Sequence, residues 1–294
     1  NYSKKVFGQT LIRKALSQSL NLVSVRLVRA MGTEVVRDHL ENFGFERTEL
    51  PEGLSLALGS ATLTPMEIAR GYAVFANGGY LVQPYFIARI EDQAGNIVEY
   101  SNRKMLCPEC KPPVVSGSHT EQYEIDPRYA KRVLAPENAF IMNSLLRQVI
   151  KTGTGRQAKS LGRSDLAGKT GTTNNFRDAW FSGFNQDIVT TVWVGFDHPR
   201  NLGDRESGAR AALPIWIDYM SAALASKPEK LWTMPENVIT VLVNDQTGTP
   251  TDNDDSGGYL EFFVMGTEPR DQNTDKVSPD DAGSDPTGQV DKLF

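Results

Sequence analysis

At Gly168 the hydrophobic pattern of this chain changes period, and that change limits the fold more than any other feature. Upstream, apolar residues mostly recur at helical spacing; downstream, AWFSGF and IVTTVWVGF read as strands. Helices first, then strands and a closing helix point to an α+β fold, an antiparallel sheet flanked by helices, rather than regular βαβ alternation. With 294 residues, 39% of them apolar, the chain can bury a core as one large domain or two smaller ones.

The helical half has readable punctuation. Thr10 is expected to cap a first helix carrying Leu11, Ile12, Ala15 and Leu16, and Thr33 a third that ends before Gly44. Between the first two helices, Ser17-Gln18-Ser19-Leu20-Asn21 breaks the apolar face. TLTPMEIARGYAVFANGG carries a full start signature, with Thr64 as N-cap, Pro65 at N1 and Glu67 closing a capping box. Asn77-Gly78-Gly79 supplies the stop. Residues 80–100 read as strands (Leu81, Phe86, Ala88, Ile90, then Ile97-Val98) around a turn at Gln93–Asn96. Lys104–Arg128 reads as a long surface loop, Ala139–Ile150 as a helix and Pro214–Leu224 as another. A domain over residues 1–243, with a loop-rich insertion at about 104–128, is followed by an acidic, mostly flexible tail over 244–294. Only Tyr259–Met265 of that tail is apolar enough to order.

Lys-Thr-Gly-Thr occurs twice, at Lys151–Thr154 and Lys169–Thr172. Lys151 continues a helix, so its ammonium falls in the last turn, near the negative end of the dipole, with Gly153 at C′. A helix terminus accounts for that copy. Lys169 instead follows the loop SDLAG and opens a strand. There Lys169 and Gly171 face one side, and Thr170 and Thr172 the other. Gly171 would let a substrate backbone approach the strand edge, where an extended peptide could add by β-augmentation. A P-loop does not fit: Gly162 and Gly168 enclose five residues where four are required, and the Lys-Thr opens a strand rather than a helix.

Other function classes are bounded by composition. A net charge of −5 offers no basic excess to neutralise nucleic-acid phosphates, and Arg26 and Arg29 read as a solvated helix face. No apolar run of about eighteen residues suggests a membrane span. NYSKKVFGQT has neither a charged start nor an apolar h-region, so it is not expected to be a signal peptide. That leaves a cytoplasmic protein or a piece of a longer one. Cys107 and Cys110, with His119 nearby, fall short of a tetrahedral zinc site; a local disulfide or a structural turn fits them better. No cofactor and no metal are expected.

Ser19-Leu20-Asn21 followed by Lys169-Thr170-Gly171 resembles the second and third motifs of penicillin-recognising serine enzymes. ALSQSLNLVSVRLVRAMG, SLALGSATLTPMEIARGYAVFANGGY and AGKTGTTNNFRDAWFSGF resemble class A bifunctional penicillin-binding proteins, the 1A type in particular, across roughly residues 1–245. The resemblance implies a DD-transpeptidase of the penicillin-binding and serine β-lactamase-like fold. In such an enzyme a serine attacks the penultimate D-Ala carbonyl of a peptidoglycan stem peptide and passes the acyl group to a neighbouring amine. β-Lactams imitate the D-Ala-D-Ala end. Ser19 would link to Lys169 and help carry the proton to the leaving nitrogen, and Asn21 would hydrogen-bond the donor's amide side. Lys169 would attract the substrate carboxylate, Thr170 and Thr172 would bind it, and the Thr172 N–H would form half of an oxyanion hole. The implied setting is the bacterial cell envelope, on the periplasmic side of the inner membrane. A membrane anchor would lie outside this chain, and other cell-wall synthesis proteins are candidate partners.

The family's nucleophile belongs to Ser-x-x-Lys, which precedes Ser-x-Asn by some tens of residues. This chain starts too late to hold it, so the fold is expected to be incomplete at its N-terminus. The literal match at Ser101-Asn102-Arg103-Lys104 comes after Ser-x-Asn and leaves a strand instead of opening a helix. The polypeptide by itself is therefore expected not to be acylated by penicillin. Two other readings stand beside the transpeptidase: a catalytically silent peptidoglycan-binding or scaffold fragment, and a serine β-lactamase, for which no convincing Glu-x-x-x-Asn loop is present.

Overall fold

The computed structural model describes residues 8–101, 104–106, 128–252 and 257–269. Cys107, Cys110, His119 and most of the expected 104–128 insertion lie outside them.

Three helices open the fold: α1 (Ile12–Ser17), α2 (Asn21–Met31) and α3 (Thr33–Asn42). Neither expected hydroxyl cap forms. Thr10 donates its hydroxyl to the Gly8 carbonyl at 3.0 Å, and Leu11 takes the cap position. Gly32, at φ 88°, ends α2 and begins α3 at once, so Thr33 sits inside the helix. Glycine alone enters that backbone region cheaply, which lets one residue turn the chain between two helices. In α4 (Pro65–Ala76) the expected start is present in full. Thr64 Oγ1 accepts the Glu67 N–H at 3.3 Å, and the Glu67 carboxylate accepts the Thr64 N–H at 2.8 Å. Gly78 and Gly79, both at positive φ, then release the chain.

The strand-like stretch over 80–100 is shorter than its pattern suggests. It yields β1 (Tyr80–Leu81), β2 (Arg89–Glu91) and β3 (Ile97–Tyr100), while Phe86 is 91% exposed. The Asp92 carboxylate gathers the N–H groups of Ala94 and Asn96 at 2.9 and 2.8 Å and so shapes the β2–β3 turn. β4 (Lys131–Arg132) pairs back onto β1, and α5 (Pro136–Lys151) follows.

The central sheet is β5 (Ala167–Thr172), β6 (Ala179–Phe184) and β7 (Val189–Val194), antiparallel in that order, so β5 is an edge. Both faces are covered, and both parities of β6 are therefore buried. Phe181 meets α6 (Leu213–Ala223) through Leu213, Trp216 and Met220. Phe184 and Ala167 face α4 and α5 through Tyr72, Phe75, Ala76 and Leu146. Gly183 permits the first packing, since a Cβ there would lie 2.6 Å from the Trp216 ring.

β8 (Val238–Asn244) and β9 (Gly258–Val264) form a separate antiparallel hairpin. The boundary expected at 243/244 thus cuts a strand pair, because the apolar run at Tyr259–Met265 finds its partner in Val238–Asn244. Arg13 of α1 ties the hairpin down through a two-pronged ion pair with Glu261, its Nε lying 2.7 Å from Oε2. Residues 270–294 of the expected tail lie outside the described residues. Among the described residues no helix is long and apolar enough to cross a membrane.

Candidate active site

The break between α1 and α2 is a tight reversal. The Ser19 N–H bonds the Leu16 carbonyl at 3.1 Å and the Leu20 N–H bonds that of Ala15 at 2.9 Å. Ser19 itself sits at φ 55°, a region few non-glycine residues enter. Exposed on this turn, its hydroxyl accepts a hydrogen bond from Lys169 Nζ at 2.8 Å. The same ammonium donates to the Thr170 carbonyl at 3.0 Å. The two residues are 150 positions apart and come from different layers, one from the helical region and one from the sheet. Burial pushes Lys169 down to about 8, and among the described residues no carboxylate pairs with it. An amine near neutrality beside a hydroxyl can hold that hydroxyl and exchange a proton with it.

Strand parity falls as the sequence indicates. Thr170 lies opposite Phe181 on the α6 face, while Lys169 shares the other face with Ala167. The free edge of β5 can also be assigned. The Thr173 N–H bonds the Asp178 carbonyl at 3.1 Å, so the alternating antiparallel pattern turns the N–H and C=O of Thr172 and Thr170 away from β6. An edge of this kind offers hydrogen bonds to an extended peptide. The Thr172 hydroxyl accepts the Gly208 N–H at 3.0 Å and keeps its own proton free to donate. Gly208 must be glycine here, because a Cβ would lie 2.3 Å from the Trp180 carbonyl and 2.4 Å from that of Gly171. Asn21 opens α2, exposed, and its side chain has no hydrogen-bond partner among the described residues.

The first Lys-Thr-Gly-Thr does more than end α5. Lys151 occupies the last turn as expected, but Gly153 is not at positive φ. Its need for glycine is steric: a Cβ would meet the Ser17 carbonyl oxygen at 2.3 Å. The Thr154 N–H bonds that same carbonyl at 3.1 Å, and the Thr154 and Thr170 hydroxyls lie 2.7 Å apart. The two copies therefore touch. Identical spelling was the only trace of this in the sequence, and it could not show that the copies meet.

A buried polar node fixes the start of β5. Asp165, fully buried, accepts Arg163 at both oxygens (2.9 and 2.7 Å), Asn185 Nδ2 at 3.1 Å and the Lys230 N–H at 3.2 Å. Burial alone would raise its carboxyl, but these hydrogen bonds outweigh it and hold the group below its usual range. Among the described residues no three His, Cys, Asp or Glu side chains gather as a metal site.

Comparisons with known proteins assign the chain to a family. A family model described as "Penicillin binding protein transpeptidase domain" matches residues 1–216. Penicillin-binding protein 1A of Pseudomonas aeruginosa is 42% identical over 288 residues, which cover 90% of this chain and 35% of that protein. The crystal structure of penicillin-binding protein 1A from Haemophilus influenzae superposes with a TM-score of 0.83 at 38% identity, covering 92% of this chain and 42% of that one. PonA1 of Mycobacterium tuberculosis, solved in complex with penicillin V, shares the fold at a TM-score of 0.60 and 21% identity, over 89% of this chain and 64% of that one. The chain spans about a third of the length of the curated relatives it matches.

Proposed function

This chain belongs to the penicillin-binding protein transpeptidase family, and on that premise we propose that it carries the second and third motifs of a serine DD-transpeptidase. The observation that bears most weight is the 2.8 Å contact between Lys169 Nζ and Ser19 Oγ, which joins the two motifs in space.

In the proposed reaction the donor stem peptide lies along the free edge of β5. Its terminal carboxylate is drawn by Lys169 and held by Thr170 and Thr172, with Gly171 leaving room for the backbone. Asn21 takes the donor's amide side. A serine of the Ser-x-x-Lys type attacks the penultimate D-Ala carbonyl, and the oxyanion that forms is met by the outward N–H of Thr172. The C–N bond breaks, and Ser19, linked to Lys169, passes a proton to the departing D-Ala nitrogen. An amine of a neighbouring stem then takes the acyl group from the serine, restoring its hydroxyl. β-Lactams, acylating the same serine, would leave a stable ester. The literal match at Ser101 is a poor candidate for the nucleophile, since it follows β3 and its N–H is spent on the Ala88 carbonyl at 3.0 Å. The family match and the relatives favour this reading over a β-lactamase or a silent scaffold. Its setting would be the cell envelope.

The test is labelled penicillin on the full-length protein that contains this chain, with the acylated residue mapped by mass spectrometry. The label is expected on a Ser-x-x-Lys serine. Ser19→Ala and Lys169→Ala are each expected to slow acylation by roughly 100-fold or more, the usual cost of losing an acid–base partner. Stable labelling at Ser101, or unchanged rates in both variants, would sink the proposal.

A further inference from the structure

The duplicated tetrapeptide raises a question that the catalytic reading leaves unanswered. Lys169–Thr172 is accounted for, but Thr152–Thr154 makes contacts that a helix end does not require. The Thr152 carbonyl accepts the Gln18 side-chain amide at 3.3 Å, and the Thr154 N–H donates to the Ser17 carbonyl at 3.1 Å. Gly153 lies so close beneath Ser17 that no side chain fits between them. On its other side the segment reaches β5 through the two threonine hydroxyls, 2.7 Å apart. One three-residue stretch thus grips both the turn that carries Ser19 and the strand that carries Lys169.

From these contacts we infer that Thr154 is a positioning residue of the active site, holding Thr170 so that its hydroxyl proton is offered to the substrate carboxylate. A hydroxyl has one proton and two lone pairs. If Thr170 gave its proton to Thr154, it could only accept, and an accepting oxygen repels a carboxylate. If Thr154 is the donor, Thr170 Oγ1 is satisfied from behind and its own proton is free. Donation to Oγ1 also polarises the Thr170 O–H bond and strengthens it as a donor. The role rests on the transpeptidase reading above, because it needs an anionic group beyond Thr170. Meanwhile the backbone bonds of residues 152–154 set the gap across which Ser19 and Lys169 meet.

The test compares wild type, Thr154→Val and Thr154→Ser in the full-length protein. Acylation rates are measured with a penicillin and with its methyl ester, which lacks the carboxylate. Valine keeps the shape and removes the donor; serine keeps the donor. Thr154→Val should acylate with the penicillin about tenfold more slowly, the effect of one hydrogen bond to a charged group. Thr154→Ser should recover to within about twofold of wild type, and the already slow ester should react alike with all three proteins. Equal rates with penicillin in wild type and Thr154→Val would overturn this role alone. So would an equal loss with acid and ester, which is what loosened packing would produce. A wild-type protein that penicillin does not acylate would overturn the transpeptidase reading and this role with it, and that result is read before any variant is compared.

Discussion

Lys169 is where burial and chemistry oppose each other most directly. Its ammonium is desolvated without a counter-charge, so its folded value of about 8 lies well under the ordinary 10.5. Between those two values the unfolded chain binds more protons than the folded one, and stability rises with pH across that window. Below about 8 the full cost of desolvating this half-buried charge is present. Lys169→Met should therefore raise the melting temperature at pH 7 by about 2 °C, the response to ~1 kcal/mol in a chain of this size, while abolishing acylation. That gain should shrink as pH rises above about 8 and level off only above 10.5, where the amine is neutral in both the folded and the unfolded state. In the wild type, acylation by a carboxylate-bearing penicillin should decline as pH rises through about 8. A Lys169→Met protein less stable than wild type at pH 7 would contradict this account. Side-chain identity at Lys169 was legible in the sequence because Lys-Thr-Gly-Thr opens a strand. The backbone of Ser19 was not legible, since nothing in a serine's identity announces a φ of 55°.

Elements were readable where a local signal closes on itself. The capping box of Thr64 and Glu67 is complete within four residues, and α4 begins where it indicates. Thr10 and Thr33 carried half of that signal, and Leu11 and Gly32 took their places. The end of α5 shows what local reading misses. Lys151 and Gly153 match a helix terminus, yet the demand for glycine comes from Ser17, far away in sequence. Gly153→Ala would place a methyl 2.3 Å from the Ser17 oxygen and 2.8 Å from that of Val149, both backbone atoms with little freedom to yield. The expected cost is about 2–3 kcal/mol by urea unfolding, typical of overpacking in a rigid site. Acylation should fall further than stability alone predicts, because the turn bearing Ser19 must move away from Lys169. A variant as stable and as active as wild type would show that the α5 end does not brace the site.

At the scale of the molecule, β5 is an edge strand, so its position depends on what anchors its ends. One anchor is the Thr152–Thr154 bracket; the other is Asp165, where the loop before β5, the end of β6 and the chain after α6 converge. The sequence displayed Asp165 as one polar residue in the loop SDLAG. Its burial could be known only once Arg163, Asn185 and Lys230 had been brought together. A carboxyl held below its usual range contributes stability that is fully present above the unfolded value of 3.8 and is lost as pH falls through the lower folded value. Asp165→Asn keeps the shape and removes the charge, leaving Arg163, whose side chain is 13% exposed, without its partner. Breaking a buried pair from one side costs about 3–5 kcal/mol, so at pH 7 the variant's urea midpoint should drop accordingly. Between pH 4 and pH 2 the wild type should lose stability more steeply than the variant, which has no carboxyl left to protonate at this position. Parallel acid limbs, or a loss at pH 7 under about 1 kcal/mol, would mean that the node is not what secures β5. With its β5 anchor weakened, the variant should also acylate more slowly under native conditions, although Asp165 touches neither Lys169 nor Ser19.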